Sequence, residues 1–242
     1  MPEVRQEKNS IQEAVYQILR DGIMGLTLEP GTGISTQEMA TRLNVSRTPV
    51  REAFIRLQRE GLVNMLPQRE TIVSKIDVQH AQQESFLRTS LEFAIVEDAV
   101  TNISAYALEK LKKNLDKQNE CYHMNRVDQF VKIDNQFHEI IFNTANHAFA
   151  WEVITGNTGH FDRLRVFYTE KHGIMSNVIE EHWAILKALE EKDSEKLRKS
   201  FERHFVTSNT NMEKQLLTTL TKEYPKYFSD GPEDFSVHIG QL

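Results

Sequence analysis

The sequence holds one cysteine, Cys121, in 242 residues, which excludes an intramolecular disulfide framework and any zinc knuckle built from several thiolates. No run approaches the roughly 18 uninterrupted apolar residues that a membrane span needs. Met1–Ser10 is charged and lacks the apolar centre of a secretory leader. Internal repeats and low-complexity tracts are missing, and from Ile76 onward no apolar–polar alternation marks a strand. Net positive charge is missing as well. The 29 Lys and Arg stand against 35 Asp and Glu, a formal −6, which argues against a protein coated in nucleic acid. What is present is 39% hydrophobic and 26% charged, a composition that buries a core, over a length that suits two domains. The expectation is a soluble cytoplasmic protein with no membrane partner.

The charge is unevenly spread. Residues 1–75 carry 10 basic and 9 acidic side chains, the remainder 19 and 26. Between residues 42 and 59, Arg42, Arg47, Arg51, Arg56 and Arg59 are offset only by Glu52. An arginine cluster joined to an acidic bulk suits a DNA-reading domain with a second domain attached, although a solvated helix face has the same charge. Local pattern narrows the choice. Ser10 with Glu13 reads as a capping box ahead of the stripe Ile11, Val15, Ile18 and Leu19. A loop over 27–34 carries Pro30, Gly31 and Gly33. Ser35 with Glu38 opens a second helix, and Asn44 stops it because Asn tolerates the left-handed conformation. Ser46 caps a third helix with Pro49 in its first turn. That helix buries Val50, Ala53, Phe54 and Leu57 and leaves Arg47 and Arg51 one turn apart on the adjoining side. The runs Leu62–Met65 and Thr71–Ser74, around a loop at 67–70, predict a two-stranded wing. Residues 1–75 therefore predict a winged helix-turn-helix whose second motif helix enters the major groove of double-stranded DNA. Arginine suits that helix because its planar fork bonds a guanine edge or a phosphate in two places.

The stretch Val45-Ser46-Arg47-Thr48-Pro49-Val50-Arg51-Glu52-Ala53, followed by Leu57, Glu60, Gly61, Leu62 and Val63, resembles the winged-helix signature of the GntR family of bacterial transcription regulators. The resemblance implies that Arg47 and Arg51 read operator bases or adjacent phosphates, that Ser46 and Thr48 hold the backbone, and that the wing tip, where Arg69 stands to offset the neighbouring Glu70, reaches the minor groove. Two positions depart from the family pattern. Gln37 stands where many members place a DNA-contacting arginine. Glu70 replaces the usual wing-tip glycine with a carboxylate that phosphate repels.

Residues 76–242 predict an all-α bundle of six helices, at about 78–104, 107–124, 127–145, 148–170, 176–192 and 194–222, the last capped by Asp193 and Ser194. Pro225, Gly231 and Pro232 mark a polar tail beyond them. Four polar residues fall on the inward stripes. Asp134 and His138 join Phe130, Phe137 and Ile141 on the third of these helices. His182 sits among Val178, Ile185 and Leu189 on the fifth, and His204 among Leu197, Phe201 and Phe205 on the sixth. One buried imidazole is ordinary, since a single hydrogen bond satisfies it. Three imidazoles converging with a carboxylate are satisfied together by one divalent ion, and Asp and His at i, i+4 share a helix face. Neutral imidazoles with one carboxylate suit zinc, nickel, iron or manganese. Histidines 80, 123, 147, 160, 172 and 238 show no such convergence and read as surface or packing residues.

This second part resembles the all-helical FCD effector domain of the FadR subfamily of GntR regulators, and six helices resemble its VanR-like branch. In metal-containing members an Asp-x-x-x-His pair and two later histidines bind the ion, which implies Asp134, His138, His182 and His204 here. Leu87-Arg88 with Leu91-Glu92, and Arg163-Leu164-Arg165, are further family-like landmarks. Arg88, at the edge of its stripe, either reaches a cavity or pairs with Glu84 or Glu92 on its own helix. The expectation is a homodimeric regulator that is not an enzyme. In it a small organic acid completes the metal shell, Arg88 or Arg165 holds a second oxygen, and operator binding changes. The alternative from a different class, a metal-dependent hydrolase or isomerase, lacks a carboxylate placed as general base and leaves the winged helix without a purpose.

Overall fold

The computed structural model describes residues 2–66, 70–215 and 219–229. The N-terminal head runs α1 (Pro2–Met24), β1 (Gly33–Ile34), α2 (Thr36–Leu43), α3 (Arg47–Arg59), β2 (Val63–Met65) and β3 (Thr71–Val73). Two of the predicted punctuation marks act as read. The Ser35 hydroxyl accepts the Glu38 N–H at 3.0 Å, and Asn44 ends α2 in the left-handed region at φ 54°. Ser46 precedes α3, but its side chain makes no capping hydrogen bond. Val50, Ala53, Phe54 and Leu57 are all buried, packed with Val15, Leu19 and Ile23 of α1. Burying each large apolar side chain contributes roughly 1.5–3 kcal/mol. A polar staple adds to this packing: Arg56 lies 3.5 Å over the Tyr16 ring and pairs with Glu13 at 2.6 Å.

The head differs from the sequence reading in three further places. α1 begins at Pro2, so Ser10 lies inside the helix rather than capping it. Its buried stripe is Val15, Tyr16, Leu19 and Ile23, while Ile11 and Ile18 are exposed, because α3 crosses the side adjoining the expected one. The loop over 27–34 ends in a third strand. Gly33 pairs with Ile72 and Ile34 with Thr71, giving the antiparallel order β1-β3-β2. Two residues, one of them glycine, are too few to show alternation.

The remainder is helical: α4 (Val78–Ala94), α5 (Val96–Asn102), α6 (Ala105–His123), α7 (Val127–Thr144), α8 (Ala148–Thr155), α9 (Gly159–His172), α10 (Met175–Glu190), α11 (Ser194–Gln215) and the one-turn α12 (Thr221–Glu223). Two of the predicted helices are broken. The first kinks at Ile95, while the bonds from Ile95 N–H to the Leu91 carbonyl and from Ala99 N–H to the Ile95 carbonyl persist on either side. No glycine or proline announces that kink. The fourth breaks at 156–158, where Gly156 and Asn157 did carry a turn signal. Asp193 caps α11 as expected, accepting the Lys196 N–H at 3.0 Å. The polar tail is corrected too. Phe228 is buried and bridges to Ile76 in parallel. Gly231 and Pro232 lie outside the described residues. α6, α7, α10 and α11 enclose the larger core, with Phe137, Ile141, Phe142, Ile185, Leu189 and Phe201 at its centre. No described helix is long and apolar enough to cross a membrane.

Candidate functional site

α3 presents its N-terminus outward. Ser46, Arg47, Thr48 and Arg51 are exposed, as is Gln37 on α2. Arg51 makes no ion pair among the described residues. Arg47 donates from Nε to the Gln37 amide oxygen, so Gln37 orients Arg47 at the exposed end of α3. Arg56, counted above in the basic cluster, is committed to Glu13 and Tyr16 and faces away from this surface. Arg69 lies outside the described residues. The Glu70 carboxylate lies across Gly33, in the space a Cβ there would fill, and so folds back onto the sheet.

The second constellation is internal. Asp134 and His138 of α7, His182 of α10 and His204 of α11 are all buried, and each offers a ligand atom within 4.8 Å of the others. The Asp134 Oδ1 lies 3.6 Å from the His182 Nε2. Donors sharing one ion at about 2.1 Å lie roughly 3.0–3.4 Å apart, so this pair is already near that spacing and the wider pairs of the set must draw in further. Asp134 Oδ1, His138 Nε2 and His182 Nε2 have no hydrogen-bond partner although fully buried, a cost an unassisted core does not carry. The second nitrogen of two of the rings is hydrogen-bonded. His182 Nδ1 meets Gln118 Oε1 at 2.8 Å and His204 Nδ1 meets Glu181 Oε2 at 2.8 Å. Glu92 Oε1 is 2.8 Å from His138 Nδ1, though out of hydrogen-bond alignment. Partners on Nδ1 turn Nε2 toward a common centre, as metal-binding imidazoles require. Three orphaned donors and supported rings fit a divalent cation.

Burial, then the neighbouring Arg88, depresses the His138 pKa well below its ordinary value; burial, then His204, does the same to His182. Both imidazoles are thus neutral at physiological pH, the form that binds metal. Burial opposes ionisation of Asp134, but Arg165 and the other nearby positive groups outweigh it and hold the carboxyl well below its usual range. The carboxylate has two sides: Oδ1 faces the histidines, and Oδ2 meets Arg165 directly and Arg88 at 3.5 Å. Asn135 joins the two guanidinium groups, its Oδ1 accepting from Arg88 at 2.9 Å and Arg165 at 2.8 Å. Arg88 also pairs with Glu92 at 3.3 Å, so it does both things the sequence left open. A cavity of about 50 Å³ opens here, lined by Arg88, Asp134, Arg165 and His204 at its polar end and by Phe130, Phe161 and Val178 among its apolar walls.

Sequence reasoning brought the four metal-type residues and both arginines together. It missed Gln118, Glu181 and Asn135 as supports, and named Glu92 only as a partner of Arg88. A polar Gln118 on the buried face of α6, beside Leu111 and Leu115, was the available signal. Arg163 and Arg165, read as one landmark, point opposite ways. Arg163 is buried at the domain junction and donates to the Ser74 carbonyl at 2.6 Å. His160 belongs there too: its Nδ1 accepts the Asp77 N–H at 3.0 Å, while burial lowers its pKa to about 3.

A winged helix with an outward arginine-bearing helix, joined to a helical domain whose apolar-walled cavity has a charged end, defines a DNA-binding transcription regulator. Residues 11–73 match the gntR family of bacterial regulatory proteins and residues 85–207 match the FCD domain. The HTH-type transcriptional repressor RspR of Escherichia coli K12 is 31% identical over 194 residues, covering 80% of this chain and 85% of that one. An uncharacterized HTH-type transcriptional regulator in an unstable DNA locus of Streptomyces ambofaciens is 28% identical over 190 residues, covering 78% and 80%. Among solved structures, E. coli McbR/YncC superposes with a TM-score of 0.72 at 22% identity, over 85% of this chain and 98% of that one. A putative GntR regulator from Rhodococcus sp. RHA1 gives the same TM-score, identity and coverage. The chain belongs to the GntR family, with an FCD effector domain. That membership sets aside the hydrolase or isomerase alternative.

Proposed function

We propose that this regulator is a cytoplasmic homodimer, divided near residue 75, whose effector domain binds a divalent metal through Asp134, His138, His182 and His204. The ion would supply a Lewis-acid site for a small organic acid entering from the cavity, Arg88 and Arg165 would hold the acid's carboxylate, and its binding would shift the spacing of two heads on a two-fold operator. Gln37, Ser46, Arg47, Thr48, Arg51 and Arg69 carry the operator contact. The observation that carries the reading is the set of orphaned buried donors on α7 and α10, beside a cavity with arginines in its lining. The chemistry of the set suits zinc, nickel, iron or manganese alike.

The test is thermal unfolding with acetate, malate, citrate and benzoate, before and after exhaustive chelation. At a hundredfold excess over Kd, a ligand bound only to the folded state raises Tm by roughly 5–10 °C for domains of this size. At least one acid should do so, and chelation should abolish the rise. An acid-induced rise that survives chelation removes the metal from the effector site.

A further inference from the structure

Leu220–Ser229 lies beyond the residues matched to the FCD domain and returns to the junction between head and effector domain. It touches three parts of the molecule. On the linker, Ile76 N–H donates to the Tyr227 carbonyl at 2.8 Å and Ser229 N–H to the Ile76 carbonyl at 3.1 Å. On the effector domain, the Phe167 ring of α9 is surrounded by Tyr224, Tyr227 and Phe228 at 5.1–5.2 Å between centroids, and Phe228 is only 2% exposed. On the head, Lys226 Nζ meets Glu29 at 2.5 Å, and the Lys226 carbonyl approaches Gly31 so closely that a Cβ there would lie 2.9 Å away. Gly31, at φ +73°, provides both the turn and the space.

We propose that residues 220–229 form a clasp that fixes the orientation of the DNA-binding head on its effector domain. Two ladder hydrogen bonds, an aromatic plug and an ion pair add to the direct contacts of the head with the effector domain, where α1 packs on α9 and Asp21 pairs with Lys132 at 2.9 Å. The anchor helix α9 also holds the linker through Arg163 and lines the cavity with Phe161, Arg165 and Tyr168. Head orientation sets which operator spacing a dimer fits, so loosening the clasp alters DNA affinity without touching any DNA-facing residue.

The experiment compares wild type with Phe228→Ala, with Lys226→Glu, and with Lys226→Glu combined with Glu29→Lys. Readouts are hydrogen exchange at the Ile76 amide, and affinity for a duplex selected from a random pool by the wild-type protein. Phe228→Ala should speed Ile76 exchange at least about tenfold and change duplex affinity about fivefold or more. Lys226→Glu, at an exposed pair, should change both by about two- to fivefold, and reversing the pair with Glu29→Lys should restore them. Fast Ile76 exchange with unchanged duplex affinity overturns the proposal. Should Phe228→Ala fail to fold, the surface pair decides alone: wild-type exchange and affinity in Lys226→Glu overturn it equally.

Discussion

His182 turns one ring nitrogen to Gln118 and the other, unpartnered, to Asp134 and its neighbours. Gln118 is itself held by an amide hydrogen bond to Asn114 at 2.8 Å, and Asn114 by the Ile133 carbonyl at 2.9 Å. The orientation of one imidazole is thus set three residues deep. Gln118→Ala should lower metal affinity about 10–100-fold with all four ligands present, measured by competition against a chelator of known affinity. Affinity equal to wild type would reduce Gln118 to packing. Glu84 tests the junction. Burial pushes its pKa up to about 8, although it accepts the Phe161 N–H at 2.6 Å. A carboxyl whose folded pKa exceeds its unfolded one costs stability as pH rises from about 4.5 to about 8. Glu84→Gln should therefore gain Tm relative to wild type across that window; a constant difference would contradict it. The four inward polar residues were legible because each interrupts an apolar stripe. Their supports were not, since a polar residue on a buried face gains a role only from partners on other helices.

At the scale of elements, the helix-turn-helix was readable because its boundaries are local chemistry: the Ser35 cap, the left-handed Asn44, and Pro49 in a first turn. The kink at Ile95 and the strand at Gly33–Ile34 are tertiary products, imposed by the elements packed on them and absent from local pattern. α3 carries the DNA claim. Arg47 and Arg51 are exposed, so truncation removes a contact and little packing. Arg47→Ala should weaken operator affinity by about 1–3 kcal/mol per half-site and leave Tm within about 1 °C of wild type, since surface changes away from such contacts cost under about 0.5 kcal/mol. Gel-shift titration at fixed salt measures the first and differential scanning fluorimetry the second. Wild-type affinity would mean that another face of the head meets DNA.

For the molecule as a whole, a winged-helix part and an all-helical part were legible from the change of period and charge along the chain. The return of the chain was not, because Phe228 lies in a short, aperiodic segment whose burial depends on Ile76 and Phe167, far away in sequence. Head, effector domain and clasp share α9, so ligand chemistry at the cavity and head placement are properties of one connected structure. The account depends most on the ion. Elemental analysis of wild type and His182→Ala, both purified without a histidine tag and dialysed against zinc, nickel and manganese in turn, tests it most directly. The account predicts about one equivalent of divalent metal per wild-type chain and loss of most of it in His182→Ala, because an incomplete ligand set cannot retain the ion. A wild-type protein that stays metal-free after all three treatments would contradict it.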